Sequence, residues 1–251
     1  MTRRMTAAEL LLLTTFTLAP AEALAGNYAI NPTRVTLDAD HNSAMLTLNN
    51  RGNDPIQFQI TAFAWTQSED GKMAFAPTDD LIIYPTVFEV PAGQKRLIRV
   101  GTHVAPGDQE AAYRIYVDEL PALEDDTGQV GVRVLARMGI PIFLAPDHPH
   151  VHGEISEATL DGDQLHVRVL NDGDVHVMLE DVAVFGLDDR GRTLWEKHRA
   201  DWYLLPDGGR ALSVDLPMDA CENVSSLQIK AATDRATWTR SLDLEEGLCP
   251  R

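Results

Sequence analysis

The stretch VGVRVLARMGIPIFLAP, residues 130–146, decides the fold class because its first half alternates strictly between two kinds of residue. One parity carries only apolar side chains: Val130, Val132, Val134 and Ala136. The other parity includes two arginines. Alternation with a period of two predicts a half-buried β-strand. Its apolar face meets either the interior of its own sandwich or a partner protein, and the pattern alone favours the first.

Short alternating runs of this kind occur along most of the chain, whereas helical periodicity is hard to find. One series covers residues 34–145, and a second extends from EISEATL (154–160) to SLQIKAAT (226–233). Turn-forming residues separate the runs, which predicts an antiparallel sandwich or barrel. Between the two series lies APDHPHVHGE, and because proline cannot donate to a strand ladder, the sheet is expected to end near Pro146.

The division into domains follows from these two series. We predict an all-β chain with one sandwich domain at residues 26–146 and a second at residues 153–251. A short hinge at residues 147–152 joins them.

The N-terminus has the three parts of a secretory signal. Arg3 and Arg4 precede an apolar run at 10–18, and the small-residue site Ala23-Leu24-Ala25 follows. We expect residues 1–25 to be removed by cleavage after Ala25. A membrane anchor is the alternative, although the run is short for a bilayer span. No later segment approaches about 18 continuous apolar residues, so the mature chain is not expected to be membrane-embedded.

Charge and cysteine content restrict the partners and the compartment. The formal net charge of −17 disfavours nucleic acid, whose phosphates require a basic surface. The only cysteines are Cys221 and Cys249. Outside the cytoplasm an even pair suggests one disulfide, and two free thiols are the alternative.

Motifs for catalysis are lacking. The sequence has no G-x-S-x-G, no H-E-x-x-H and no phosphate-binding glycine loop, so neither an enzyme nor a cofactor is expected. His148, His150 and His152 lie at alternate positions in the predicted hinge. Imidazole is a common metal ligand, but no carboxylate or cysteine stands at a recognised ligand interval. A metal-binding envelope protein is therefore a minor alternative, and no metal site is predicted.

Three arginines alternate with apolar neighbours or begin a strand. Arg34 follows a proline turn, and it is either a surface arginine or an anchor for a ligand carboxylate, which suits the guanidinium fork. Arg99 and Arg114 are expected to line or brace a polar face.

Five strings occur in a recognisable order: NPTRVTL, IQFQITAFAWTQ, LIIYPTVFEVPAGQKRLIRVG, AAYRIYVDELP and GIPIFLAP. With them the chain resembles, from Asn31 to Pro146, periplasmic chaperones of the chaperone–usher pathway, which build adhesive pili. The strings IPIF and YRIYVDELP look most like the branch that serves archaic-type pili. The second half matches more loosely, chiefly through VLNDGDVHVML. The resemblance implies two immunoglobulin-like sandwiches joined at an angle.

The resemblance also implies a function and its partners. A pilin-like subunit lacks the last strand of its own sandwich, and the chaperone lends it a strand by donor-strand complementation. By position, Val130, Val132, Val134 and Ala136 match the lent side chains. The implied partners are such subunits and an outer-membrane usher, the implied compartment is the periplasm, and a self-capping homodimer through the same strand stays open.

In this family two basic residues in the interdomain cleft hold the subunit's C-terminal carboxylate. Arg34 falls on the first of them, whereas Pro141 occupies the place of the second, usually a lysine. Arg137 shares the parity of 141 and is the predicted substitute. The alternative from another class is a secreted two-domain adhesion or carbohydrate-binding module, which the aromatic content of only 6% disfavours.

Overall fold

A computed structural model describes residues 27–121, 134–217 and 223–244. These ranges contain eighteen strands and no helix. Val130, Val132, Cys221, Cys249 and the predicted signal at 1–25 lie outside the described residues, so the predictions made for them stay predictions.

The first ten strands form a sandwich of two sheets, here called the first sandwich. They are β1 (Tyr28–Asn31), β2 (Val35–Leu37), β3 (Ser43–Asn50), β4 (Ile56–Gln67), β5 (Met73–Pro77), β6 (Leu81–Tyr84), β7 (Val87–Val90), β8 (Lys95–Thr102), β9 (Ala111–Glu119) and β10 (Arg137–Leu144). One sheet has the order β1-β3-β8-β6 and the other β2-β10-β9-β4-β5, with β7 also paired to β4. The β2–β10 pair is parallel, and the other pairs of this sandwich are antiparallel.

The core of the first sandwich follows from the alternation in its strands. Every second side chain points between the sheets, and the buried set includes Leu46, Leu48, Phe58, Ile60, Ile98, Val100, Ile115, Val117, Ile140 and Ile142. Each fully buried side chain of this size contributes about 1.5–3 kcal/mol, which holds the two sheets together. The alternate residues of β2, β4, β9 and β10 are thereby placed on the outer face of their sheet.

The remaining strands form a second sandwich with a core of its own. They are β11 (Glu154–Asp161), β12 (Gln164–Leu170), β13 (Val177–Leu187), β14 (Thr193–Arg199), β15 (Tyr203–Leu204), β16 (Gly209–Asp215), β17 (Ser226–Thr233) and β18 (Thr237–Asp243). One sheet has the order β11-β12-β16 and the other β14-β13-β17-β18, with β15 also paired to β13. The predicted hinge, residues 147–152, lies in the connection between β10 and β11.

Most strands predicted from alternation are present, and β10 ends at Leu144, close to the predicted end near Pro146. The prediction for 130–146 holds only in part, because the strand begins at Arg137 and Val134 to Ala136 are not in a strand. Both sandwiches meet at a small apolar cluster, here called the interface cluster. It contains Trp65, Ala112 and Phe143 of the first sandwich and Tyr203 and Leu205 of the second.

Candidate functional site

The outer face of the sheet that contains β10 is turned toward the second sandwich. Val35, Ile115 and Ile142 point into the core, so their chain neighbours Arg34, Arg114 and Pro141 point to the opposite face. Phe143, two residues beyond Pro141, is already covered by the interface cluster. The two arginines therefore lie at the mouth of the cleft between the sandwiches.

Arg34, Pro141 and Arg114 occupy one row across three adjacent strands. Pro141 pairs with Arg114 in the β9–β10 ladder, and Ile142 pairs with Val35, which places Arg34 beside Pro141. Neighbouring strands lie about 4.8 Å apart, so the backbones of the two arginines are about 10 Å apart. Two long cationic side chains thus flank Pro141, the position at which the resemblance noted in the sequence implies a lysine.

Arg114 is a nearly buried cation without an anionic partner among the described residues. It is 9% exposed, and its guanidinium lies over the rings of Trp65, at 5.2 Å, and Trp202, at 4.9 Å. Its Nε is buried and has no hydrogen-bond partner there. Gly139 permits this close packing, because a Cβ at that position would lie 2.7 Å from Nε. A buried charge is costly unless it is paired, so this guanidinium is suited to receive an anion.

Arg34 is more exposed and already has a weak partner. Its Nη1 lies 3.5 Å from Oδ2 of Asp234, which belongs to the second sandwich. The other oxygen of Asp234 accepts the backbone N–H of Met178 at 2.8 Å. Exposed ion pairs contribute about 0–1 kcal/mol, so a competing carboxylate can displace this contact at little cost.

Arg137 lies elsewhere on the same face. Its Nε and Nη2 donate to the two oxygens of Asp118 at 2.5 and 3.2 Å, and these hydrogen bonds raise the pKa of the Arg137 guanidinium. The side chain also lies 5.1 Å from the Tyr116 ring. Arg137 lies four positions before Pro141 along β10, a distance of about 13 Å. The structure brings Arg34 together with Arg114, and it does not bring Arg137, the predicted substitute, into that row.

The even-numbered positions of β10 face the core, and the same positions in the residues before β10 become increasingly exposed. Ile142 and Ile140 are buried and Met138 is half-buried, whereas Val134 is 81% exposed. Ala136 is half-buried, and its carbonyl accepts the N–H of Glu119 at 3.0 Å. Because β2 pairs only with the last three residues of β10, no described strand pairs with Arg137–Pro141 on that side. An apolar side chain beside an open strand edge is the arrangement that accepts another strand.

The hinge histidines do not form a metal centre in the described part of the chain. His152 Nδ1 lies 2.6 Å from Asp172, and the ring of His150 stacks on that of His152 at 6.0 Å. Among the residues that the structure describes, no group of three or more His, Cys, Asp or Glu side chains is placed to hold a metal ion.

Two features of the cleft were missed by the sequence analysis. Arg114 was expected only to line or brace a polar face, and its place opposite Pro141 is visible only once the register is known. Trp202 gave no signal at all, because its contact with Arg114 joins the two sandwiches.

Comparison with known proteins gives matches in both sequence and structure. Residues 27–150 match the family described as pili and flagellar-assembly chaperone, PapD N-terminal domain. Chaperone protein LpfB of Salmonella typhimurium is 28% identical over 127 residues, which are 49% of this chain and 52% of that protein. The matched segment thus spans about half the length of this curated relative.

Two solved structures match most of the chain. The structure of the CsuC–CsuE chaperone–tip adhesion subunit pre-assembly complex, from archaic Csu pili of Acinetobacter baumannii, includes a chain with a TM-score of 0.58 at 19% identity. The match covers 85% of this chain and 97% of that one. The class 5 fimbriae chaperone CfaA has a TM-score of 0.57 at 15% identity, over 87% and 100% of the two chains. Both matches are likenesses of fold, and they confirm the predicted all-β architecture of two immunoglobulin-like sandwiches.

Proposed function

The chain belongs, through residues 27–150, to the family of pili and flagellar-assembly chaperones, and we propose on this premise that it is a periplasmic chaperone of pilin-like subunits. It binds a subunit by lending it a strand and delivers it to an outer-membrane usher. The process requires no cofactor, because the folding energy of the subunit itself drives release when another strand replaces the lent one.

The observation that carries the proposal is the change of environment along one face of the chain before and within β10. Ile140 and Ile142 complete the core of the first sandwich, while Val134, of the same parity, is 81% exposed. Burying one valine contributes about 1.5–3 kcal/mol at most, so Val130, Val132 and Val134 together contribute several kcal/mol before ordering costs are subtracted. In the absence of a subunit, the same surface is available for capping by a second copy of the chain.

The anchor for the subunit's C-terminal carboxylate is proposed to consist of Arg34 and Arg114. Both lie in the row that contains Pro141, and the guanidinium fork of Arg114 lacks an anionic partner among the described residues. Charge-assisted hydrogen bonds to a carboxylate are about twice as strong as neutral ones. The sequence-based candidate Arg137 is paired with Asp118, so the geometry favours Arg114 in its place.

The outer face of the other sheet of the first sandwich is proposed as the surface for the usher. It lies on the side opposite the cleft and presents Met45, Leu97 and Tyr84, which are 43%, 59% and 75% exposed. Such a face stays free while a subunit occupies the cleft. Leu97→Asp is expected to abolish capture of a subunit complex by the usher while leaving subunit binding intact, and undiminished usher capture would contradict this assignment.

The experiment for the main proposal is co-expression of the chain with a pilin-like subunit, followed by purification of the complex. Val132→Asp combined with Val134→Asp is expected to abolish recovery of soluble subunit, and Arg34→Ala to reduce it. The matched control is Val87→Asp, because Val87 is also an exposed valine of the first sandwich, at 60%. Full recovery with the double variant would refute strand lending, and a loss with Arg137→Ala as large as with Arg34→Ala would restore Arg137 as an anchor.

A further inference from the structure

Trp202 is a large aromatic side chain that stays 43% exposed at the rim of the cleft. It belongs to the second sandwich and immediately precedes β15. The next residue, Tyr203, is buried in the interface cluster, and the two ring centroids are 6.2 Å apart. Trp202 is thus tied to the packed interface while its own ring lies against Arg114, a cation of the first sandwich.

Arg114 is shielded by one indole from each sandwich. Trp65 is 2% exposed and belongs to the same sheet as Arg114, whereas Trp202 is the shield that solvent and ligands can reach. Low polarity around a charged pair strengthens its electrostatic attraction. A carboxylate bound by Arg114 is therefore held more strongly with Trp202 in place, and the groups next to that carboxylate lie close to the Trp202 ring.

Three more aromatic rings lie on the outer face of the sheet that contains Arg114. Phe63 and Tyr116 are half-buried, with centroids 5.6 Å apart, and Phe75 is 39% exposed, 6.2 Å from Tyr116. Together with Trp202 they are here called the aromatic shelf. Aromatic rings that are partly accessible and lie beside an arginine are typical of the residues that dominate the free energy of binding at interfaces.

We propose that Trp202 is a positioning and specificity-determining residue that makes the cleft selective for peptide C-termini ending in an aromatic or bulky apolar residue. The inference rests on the proposed function and adds the chemistry of the terminus. The carboxylate of such a peptide complements the charge of Arg114, which is a nearly buried cation in a chain of net charge −17. Its last side chain complements the aromatic shelf. Trp202 comes from the second sandwich, so selectivity depends on both sandwiches.

The test measures dissociation constants of the full mature chain for N-terminally labelled octapeptides that differ only at the C-terminus. One peptide ends in Phe as the free acid, one in Ser as the free acid and one in Phe as the amide. The Phe acid is expected to bind about five- to tenfold more tightly than the Ser acid, because one or two aromatic contacts increase affinity by about that factor. It is expected to bind at least about tenfold more tightly than the amide, which lacks the anion.

Variants separate the role of Trp202 from a merely structural one. Trp202→Ala is expected to reduce the preference for Phe over Ser to less than about twofold, and Trp202→Phe to restore most of it. The matched control is Leu194→Ala, an exposed apolar residue of the second sandwich at 42%, which is expected to leave the preference unchanged.

An unchanged preference in Trp202→Ala would overturn the inference, and so would equal binding of acid and amide or no binding of any peptide. The proposed function is decided separately by subunit capture through Val134. A chain that captures its subunit by the lent strand yet shows no preference among the peptides retains the proposed function and loses this inference.

Discussion

Two buried polar side chains, His176 and Arg114, lie at the same interface between the sandwiches, and a carboxylate of the protein contacts only the first of them among the described residues. The side chains of Glu110 and His176 are each 1% exposed, and the carboxylate accepts both the Nδ1–H of His176, at 2.6 Å, and its backbone N–H, at 3.0 Å. The His176 ring also stacks on Phe143 with centroids 3.5 Å apart. Arg114 is similarly enclosed but has only aromatic faces as partners among the described residues.

The difference separates a structural contact from a binding contact. A buried donor that has its acceptor stabilises the fold, and removing the acceptor leaves a desolvated polar group. A buried cation without an anion costs free energy, which contacts with aromatic faces offset in part, and a ligand that supplies the missing charge gains the most binding free energy there. We therefore expect Glu110 and His176 to hold the two sandwiches together and Arg114 to hold the subunit.

The largest effect on stability is expected for Glu110→Ala. The substitution removes the acceptor of two buried N–H groups of His176 and should lower the free energy of unfolding by about 3 kcal/mol. Chemical denaturation followed by circular dichroism measures the change. Glu89→Ala, at an exposed position, is the control and should stay within about 0.5 kcal/mol of the wild type. A loss of less than about 1 kcal/mol for Glu110→Ala would contradict the structural role expected for the contact between Glu110 and His176.

A much smaller effect on stability is expected for Arg114→Met. The substitution removes a charge that has no anionic partner among the described residues, and the flexible thioether packs well against aromatic rings. The free energy of unfolding should therefore change by less than about 1 kcal/mol in either direction. The same denaturation experiment measures this change. A loss of unfolding free energy equal to that of Glu110→Ala would show that Arg114 has a structural role.

The smallest effect is expected for an exposed pair that resembles Glu110–His176 in chemistry only. His198 Nδ1 lies 2.7 Å from Asp181, and the hydrogen bond and charge of that carboxylate raise the pKa of His198. Because the folded pKa lies above the unfolded value near 6.5, the pair stabilises the fold fully below that pH. Its contribution is lost as the pH rises through the folded pKa.

Asp181→Asn is accordingly expected to lower the pKa of His198, as measured by NMR titration of the imidazole signals. The variant should be slightly less stable than the wild type at pH 5 and equally stable at pH 9. An unchanged pKa of His198 would show that the contact with Asp181 is not formed in solution.

The sequence predicted the parts of the fold that depend on local alternation. Strands with one buried face, such as β4 and β12, have the period of two that marks them. Neither β14 nor β18 has one fully buried face of this kind, because both lie at the edges of their sheet and expose most of their side chains. Pro146 marked the end of β10 within two residues because the backbone of proline cannot donate a hydrogen bond.

The site was less predictable because it depends on contacts between distant parts of the chain. The position of Arg34 followed from the order of the strings, but the row that joins it to Arg114 depends on strand register. Glu110 and His176 lie 66 residues apart in the sequence. No local pattern indicates that one buried charge has a partner and another has none, because burial and pairing are properties of the assembled interface.

The most direct test of the central claim is the amount of pilin-like subunit that co-purifies with Arg114→Met compared with the wild type, at equal amounts of folded chaperone. Loss of a charge-assisted hydrogen-bond pair is worth roughly 1.5–3 kcal/mol, so subunit recovery is expected to fall at least about tenfold. The melting temperature of the free variant should stay close to that of the wild type. Undiminished recovery of the subunit by a folded Arg114→Met variant would contradict the account.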